Sequence, residues 1–477
     1  MRKTGTFKKL LAAFLAACCC VSLAACGETP TGDAGSGSGG NDQPSGAGSA
    51  RAVALASYPE MAPYPDENDY IKTNGEIKDS FNDAYKAWVA SMRAQRDQPE
   101  GYADGLDGFF MSSIRKFLKD GDSGNTVYSP LNVYMALAML AEVTDGESRA
   151  QVLGLLGADS IEAVREQAGS LWNANYRDDG LVTSVLASSL WMNEKINYNQ
   201  STLDTLAADY HASSFSGEMG SAEYDRMLQE WINEQTGGLL EQQASGLEMD
   251  PQTILALATT IYFKAPWADK FGEQNTKPGL FETPDGTIKT DFMHRKSPND
   301  YFWGDSFSAV GTGLESGGAM WFLLPDEGVS PDELLEDGET MEFLLLKDKY
   351  SWENRKHLMV NMAVPKFDVS SDIDLIPGLA ALGVRNVFDY TVSDFTPLTT
   401  NEDEIYVSKA EHAARVMIDE EGCTAAAYTV IMTKAGAAMP PNETVDFIVD
   451  RPFVFVITSA DGLPLFVGTM NSPVSAG

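Results

Sequence analysis

Five stretches of this chain carry apolar and β-branched residues in strand-like runs: Ser184–Met192, Leu255–Phe263, Ala319–Leu324, His357–Phe367 and Phe447–Thr458. Others carry the helical period. Phe81, Ala84, Tyr85, Trp88 and Met92 recur on one face of a helix predicted from about Asp79 to Arg96, which should pack on the main body. Phe109 to Leu118 reads as a helix. Ser129-Pro130 starts another, Leu131 to Ala141, with proline where its missing N–H costs nothing. Helices and strands intermingle without a strand–helix–strand cadence, so the pattern predicts an α+β fold with mainly antiparallel sheets.

Two segments near the C-terminus stand apart. Asp419-Glu420-Glu421-Gly422-Cys423-Thr424-Ala425-Ala426-Ala427-Tyr428-Thr429 is acidic, then small, then β-prone, and has no helical apolar face. Its alanine run has no large side chain to anchor it, so it stays mobile unless a neighbouring surface accepts it. Phe447-Ile448-Val449-Asp450-Arg451-Pro452-Phe453-Val454-Phe455 reads as a buried strand with one bend at its Asp-Arg-Pro step.

Composition narrows the picture. The chain has 477 residues, 43% of them hydrophobic, enough for a large core. Its net charge of −35 repels nucleic-acid phosphates and anionic lipid, so no nucleic-acid partner is expected. Arg2, Lys3, Lys8 and Lys9, the apolar run Leu10–Val21 and Leu23-Ala24-Ala25-Cys26 predict an export signal over residues 1–25. It looks like a bacterial lipoprotein signal, in which Cys26 becomes the lipidated N-terminus and tethers the protein to a cell surface. Residues 26–50 form a Gly/Ser-rich tether, spanning roughly 25 Å as a random coil. Residues 51–105 are an acidic, aromatic extension with no assigned role, and 106–477 the main domain. Of the five cysteines only Cys423 lies in the folded part, so no disulfide is expected within it. The four histidines lack metal-ligand spacing, and neither metal nor cofactor is expected.

The paired C-terminal segments resemble the hinge and following strand of a serpin, and further motifs run through the body in that family's order. Asn125-Thr126-Val127-Tyr128-Ser129-Pro130 is similar to the start of the shutter region, and Thr260 to Trp267 to the strand leading into the breach. Met320-Trp321-Phe322-Leu323-Leu324-Pro325, Val364-Pro365-Lys366-Phe367, Asp394-Phe395 and Pro464-Leu465-Phe466-Val467-Gly468 follow. The resemblance implies three mainly antiparallel sheets, eight or nine helices and an exposed reactive-centre loop from about Glu421 to Asn442. It assigns Glu420 to Ala427 to the hinge, and Trp267, His412, Ser129, Asn132 and Thr259 to breach and shutter. Two of these depart from the family pattern: Asn132 stands where a serine is usual, and Thr259 where an asparagine is. Amide and hydroxyl have traded places, which either preserves a hydrogen bond across the sheet or abolishes it. Cys423 replaces a usual threonine or serine.

The implied function is not catalysis but suicide inhibition of a serine protease, the cut loop sliding into the sheet and carrying the protease with it. Inserted side chains alternate, so Cys423, Ala425, Ala427, Thr429 and Ile431 would face the core, and Thr424, Ala426, Tyr428 and Val430 outward. Counting from Glu420 puts the scissile bond at Gly436-Ala437, with Lys434, Ala435 and Ala438 as alternative positions. The small residues suit elastase-like or subtilisin-like pockets; Lys434-Ala435 would suit a trypsin-like one. A monomer is expected. A non-inhibitory serpin is the alternative reading. A solute-binding lipoprotein shares the leader but explains neither the hinge nor the terminal strand, and the folded body holds no G-x-S-x-G elbow for an esterase.

Overall fold

The computed structural model describes residues 50–119, 124–251, 253–399, 405–423 and 441–473. These belong to one unit within Gly48–Gly477. The strands are β1 (Arg51–Ala54), β2 (Thr126–Tyr128), β3 (Arg177–Asp178), β4 (Thr183–Asn193), β5 (Ala212–Gly217), β6 (Leu255–Pro266), β7 (Lys277–Thr283), β8 (Gly286–Trp303) and β9 (Phe307–Gly313). They continue as β10 (Ala319–Pro325), β11 (Arg355–Pro365), β12 (Phe367–Asp374), β13 (Val407–Ile418), β14 (Gly422–Cys423), β15 (Thr444–Ile448), β16 (Phe453–Thr458) and β17 (Pro464–Met470).

They form two hydrogen-bonded networks. The first runs β1-β5-β4-β6-β14-β13-β12, with β3 on the side of β4; the second runs β15-β11-β8-β9-β10-β16-β17-β2, with β7 on β8. Only β4–β5, β6–β13 and β11–β15 pair in parallel among the described residues. The sheets are therefore mainly antiparallel, as the pattern predicts. Two of the three expected sheets merge because β8, 18 residues long, runs through both. Eleven α-helices lie among the described residues. The surplus over the expected eight or nine includes the helix of the N-terminal extension and the short turns Glu241–Ala244 and Pro331–Glu336.

The first helix, α1, spans Ser80–Arg96, and α2 spans Asp107–Lys119. The third, α3 (Pro130–Glu142), is buried along its whole length and touches β6 of one sheet and β17 of the other. A helix apolar on every side belongs in an interior. Its start is fixed by Ser129, whose Oγ accepts from the N–H of Asn132 at 3.4 Å, with Pro130 in the first turn.

Two predicted runs break where the chain changes sheet. His357–Phe367 divides at Lys366 into β11 and β12, which lie in different networks. Phe447–Thr458 divides at Asp450-Arg451-Pro452 into β15, parallel to β11, and β16, between β10 and β17. The extension packs on the body. Its β1 adds an edge to β5, and Trp88 of α1 donates from Nε1 to Asp179 at 2.7 Å. Asp179 also pairs with Arg177 at 2.7 Å, a buried junction closed by the Tyr64 ring edge-on to Trp88.

Candidate functional site

The two central strands of the first sheet, β6 and β13, run parallel and share a ladder only in part. Leu255–Thr259 pairs with Val407–His412, ending at His412 opposite Thr259. At the other end β14 is wedged between them: Gly422 lies opposite Pro266, and Cys423 opposite Ala265 on one side and Ile418 on the other. Between these junctions, among the described residues, no pairing joins 260–264 to 413–417. The sheet is open in its middle.

The wedge is held by a tight reversal after β13. Asp419 closes it: its N–H donates to the Gly422 carbonyl at 3.1 Å, and its Oδ1 accepts from the N–H groups of Glu421 and Gly422 at 2.9 and 3.2 Å. Trp267 clamps the outside, donating from its backbone N–H to the Glu421 carbonyl at 2.9 Å and from Nε1 to the Asp419 carbonyl at 2.8 Å. Glu420 receives Lys366 Nζ at 2.9 Å and Thr276 Oγ1 at 2.6 Å, while Glu421 pairs with Lys270. Burial raises the Glu420 carboxyl, but Thr276 and Lys366 outweigh it and hold it below the usual range.

Gly422 is required by space. A Cβ there would stand 2.4 Å from the Ala265 carbonyl oxygen and 2.7 Å from the Pro266 Cα, too close for any other residue. Cys423 is 1% exposed and faces the core, its Sγ 3.8 Å from the Met320 sulfur. Burial pushes its thiol pKa up, so it is inert in this state.

Below the gap lies a second polar cluster. His412 is fully buried, and its Nε2 accepts from the Ser129 N–H at 3.0 Å, with the Tyr128 ring edge-on at 5.4 Å. Beside it Asn132 Nδ2 donates to Thr259 Oγ1 at 3.2 Å. The traded amide and hydroxyl are joined by a hydrogen bond, which ties the start of α3 to β6. Burial depresses the His412 pKa to about 4, so the imidazole is neutral at pH 7.

The structure thus brings Trp267 to Glu420, Glu421 and Gly422, and Ser129, Asn132 and Thr259 to His412. Thr424, Ala425, Ala426 and Ala427, the positions Lys434 to Ala438, and Cys26 lie outside the described residues. The sequence reading gave no role to Asp419, Lys270, Thr276 or Lys366, which hold the reversal. Asp419 was legible as a turn residue three positions before a glycine, but the lysines come from distant segments with no local signal. Among the described residues no group of three His, Cys, Asp or Glu side chains converges to hold a metal ion.

The site is thus a pair of central strands joined at one end and separated at the other by the short strand β14. The serpin family model, described as serine protease inhibitor, matches residues 105–473. The chain is 30% identical over 367 residues to the leukocyte elastase inhibitor of Homo sapiens, covering 74% of this chain and 95% of that one. It is 29% identical over 376 residues to the same inhibitor of Sus scrofa, covering 76% and 97%. In structure it resembles the thermophilic serpin tengpin in its native state, with a TM-score of 0.69 at 24% identity over 79% of this chain and 95% of that one. The chain belongs to the serpin family.

Proposed function

We propose that this serpin traps serine proteases covalently by drawing its cleaved loop into the gap between β6 and β13. One observation carries the reading. Continuing the β14 register from Cys423, opposite Ala265 and Ile418, sets Thr429 opposite Thr259 on one side and His412 on the other. Thr259 and His412 are already each other's partners, so a strand extended from Cys423 satisfies both edges without a slip. The same register brings Thr433 opposite Leu255, where β6 begins. Ladder bonds at about 0.5–1.5 kcal/mol each then contribute on the order of 10 kcal/mol, so the intact form is held by a barrier rather than by being lowest in free energy.

The protease serine attacks the carbonyl carbon of Gly436, forming an ester and releasing the Ala437 amine. Insertion of Cys423 through Thr433 carries the acyl-enzyme along the length of β6, roughly 35 Å at about 3.3 Å per residue. The tract Lys434-Ala435-Gly436-Ala437-Ala438 favours an elastase-like pocket, in line with the relatives named leukocyte elastase inhibitor. Incubation with elastase-like and trypsin-like proteases, followed by denaturing electrophoresis, tests this. A covalent high-mass band with elastase is expected, and the released fragment should begin at Ala437. A fragment beginning at Ala435 overturns the choice of bond; clean cleavage without any complex makes the protein a non-inhibitory serpin.

The chain is further proposed to be exported, to carry lipid on Cys26 at a bacterial cell surface, and to act as a monomer. The leader residues 1–25 support the export and the lipid. Labelled fatty acid should enter the protein and fail to enter the Cys26→Ala variant.

A further inference from the structure

The helix Ala222–Gln235 and the segment after it lie across the outer face of the first sheet, and beneath them is a cavity of about 50 Å³. Its walls are apolar: Trp191, Leu228, Ile232 and Leu240 face it. Two polar atoms in this lining have no partner, the Oγ1 of Thr260 and the Oε1 of Gln243. Thr260 is 2% exposed, so bulk solvent does not reach its hydroxyl. A buried hydroxyl and a buried carbonyl left unmatched in an apolar cavity are costly, and call for a reason.

The floor of the cavity supplies one. It is made of the outward row of β6, Ala256, Ala258 and Thr260, and that of β13, Lys409, Glu411 and Ala413. The cavity therefore straddles the two strands that must part. Cys423 faces the core, so in a strand continued from it the even-numbered residues would face this cavity. A strand continued in the β14 register would set Tyr428 opposite Thr260 and Ala413, Val430 opposite Ala258 and Glu411, and Met432 opposite Ala256 and Lys409. All three outward residues meet pairs that line the cavity.

We propose that this cavity is the receiving site for Tyr428 when the loop inserts. The ring fills the apolar space, which grows as a new strand parts β6 and β13 by about 4.8 Å. The phenol hydroxyl donates to Gln243 Oε1 and accepts from the Thr260 hydroxyl, satisfying both orphaned groups at once. Tyr428 is then a positioning residue that fixes the register of the inserted strand, and the unmatched pair in the intact protein is a site held ready for it. The inference rests on the insertion reading above.

Melting temperatures of intact and loop-cleaved protein, for wild type, Tyr428→Phe, Gln243→Leu and the double variant, test it. The intact form of Tyr428→Phe should melt with wild type. Its cleaved form should melt lower by about 2 °C, the order expected for two lost hydrogen bonds in a chain of this size. Gln243→Leu, which removes only one of the two bonds, should lower the cleaved form about half as far, and the double variant should fall no further than Tyr428→Phe. If wild type gains nothing on cleavage, the insertion reading fails and this proposal with it. If wild type gains but the cleaved variants melt with it, insertion stands and the cavity does not receive Tyr428.

Discussion

Asn132 donates from Nδ2 to the Oγ1 of Thr259 at 3.2 Å, and this bond fastens the buried start of α3 to the strand that borders the gap. Thr259 is also the last residue of β6 paired with β13, so the bond sits at the point from which any further parting begins. Replacing Asn132 by Ala leaves the Thr259 hydroxyl without its donor and should cost about 1–2 kcal/mol in denaturant unfolding of the intact form. Thr259→Val should cost a similar amount, and the two together little more than either. Restoring the family arrangement, Asn132→Ser with Thr259→Asn, should recover most of the loss. Additive costs would show that the two side chains do not interact.

His412 makes the intact fold sensitive to acid. Its neutral Nε2 accepts from the Ser129 N–H, and a protonated ring would set one donor against another. Burial lowers its pKa to about 4 from 6.5, so the unfolded chain takes up the proton first. Its contribution is fully present above pH 6.5 and is lost as the pH falls from there towards 4, at most about 3 kcal/mol. Stability measured between pH 7.5 and 4.5 should fall with a slope that His412→Asn removes. An unchanged slope in that variant places the acid sensitivity elsewhere.

Gly422→Ala should unseat the hinge. The added methyl would collide with the Ala265 carbonyl and the Pro266 Cα, both backbone atoms that cannot turn aside. With β14 displaced, Cys423 loses its cover. Thiol reagents should modify Cys423 slowly in the intact wild type and at least tenfold faster in the variant, as read by mass spectrometry. Equal rates would mean that the wedge opens freely without any substitution.

Ala425→Arg should convert an inhibitor into a substrate. The observed inward facing of Cys423 puts residue 425 on the same row, opposite Phe263 and Val416 in the continued register. Drawing a guanidinium into that apolar layer costs several kcal/mol. The variant should be cut by the protease at the wild-type rate but form little covalent complex; an unchanged yield of complex would sink the insertion reading.

The sequence disclosed most where local chemistry decides. The helix predicted from Asp79 to Arg96 is α1, because five apolar residues repeat on one face, and Ser129-Pro130 starts α3 because both residues suit a helix start. Inward alternation at the hinge was legible as far as Cys423, since strand periodicity leaves two choices and small size selects one. What stayed hidden depends on distant partners. Lys366 interrupts a continuous β-prone run where the chain passes from one sheet to the other, and its side chain reaches Glu420, a contact across 54 residues. Nor does Arg51–Ala54 announce itself as a strand: four residues gain that form only from the free edge of β5. The departures at Asn132 and Thr259 left two outcomes open in the sequence, and only their distance decides between them.

The placement of β16 and β17 has a consequence for how the molecule comes into being. These strands are among the last of the chain, yet they occupy the interior of the larger sheet, with β10 on one side and β2, from the start of the main domain, on the other. A ribosome delivers them after the two strands they lie between. Until they emerge, β10 and β2 have no neighbour between them, and α3 lacks one of the two sheets it packs on. Synthesis therefore ends with the bolt rather than beginning with it. A chain truncated by thirty residues would lose both strands, and with them the whole filling between β10 and β2.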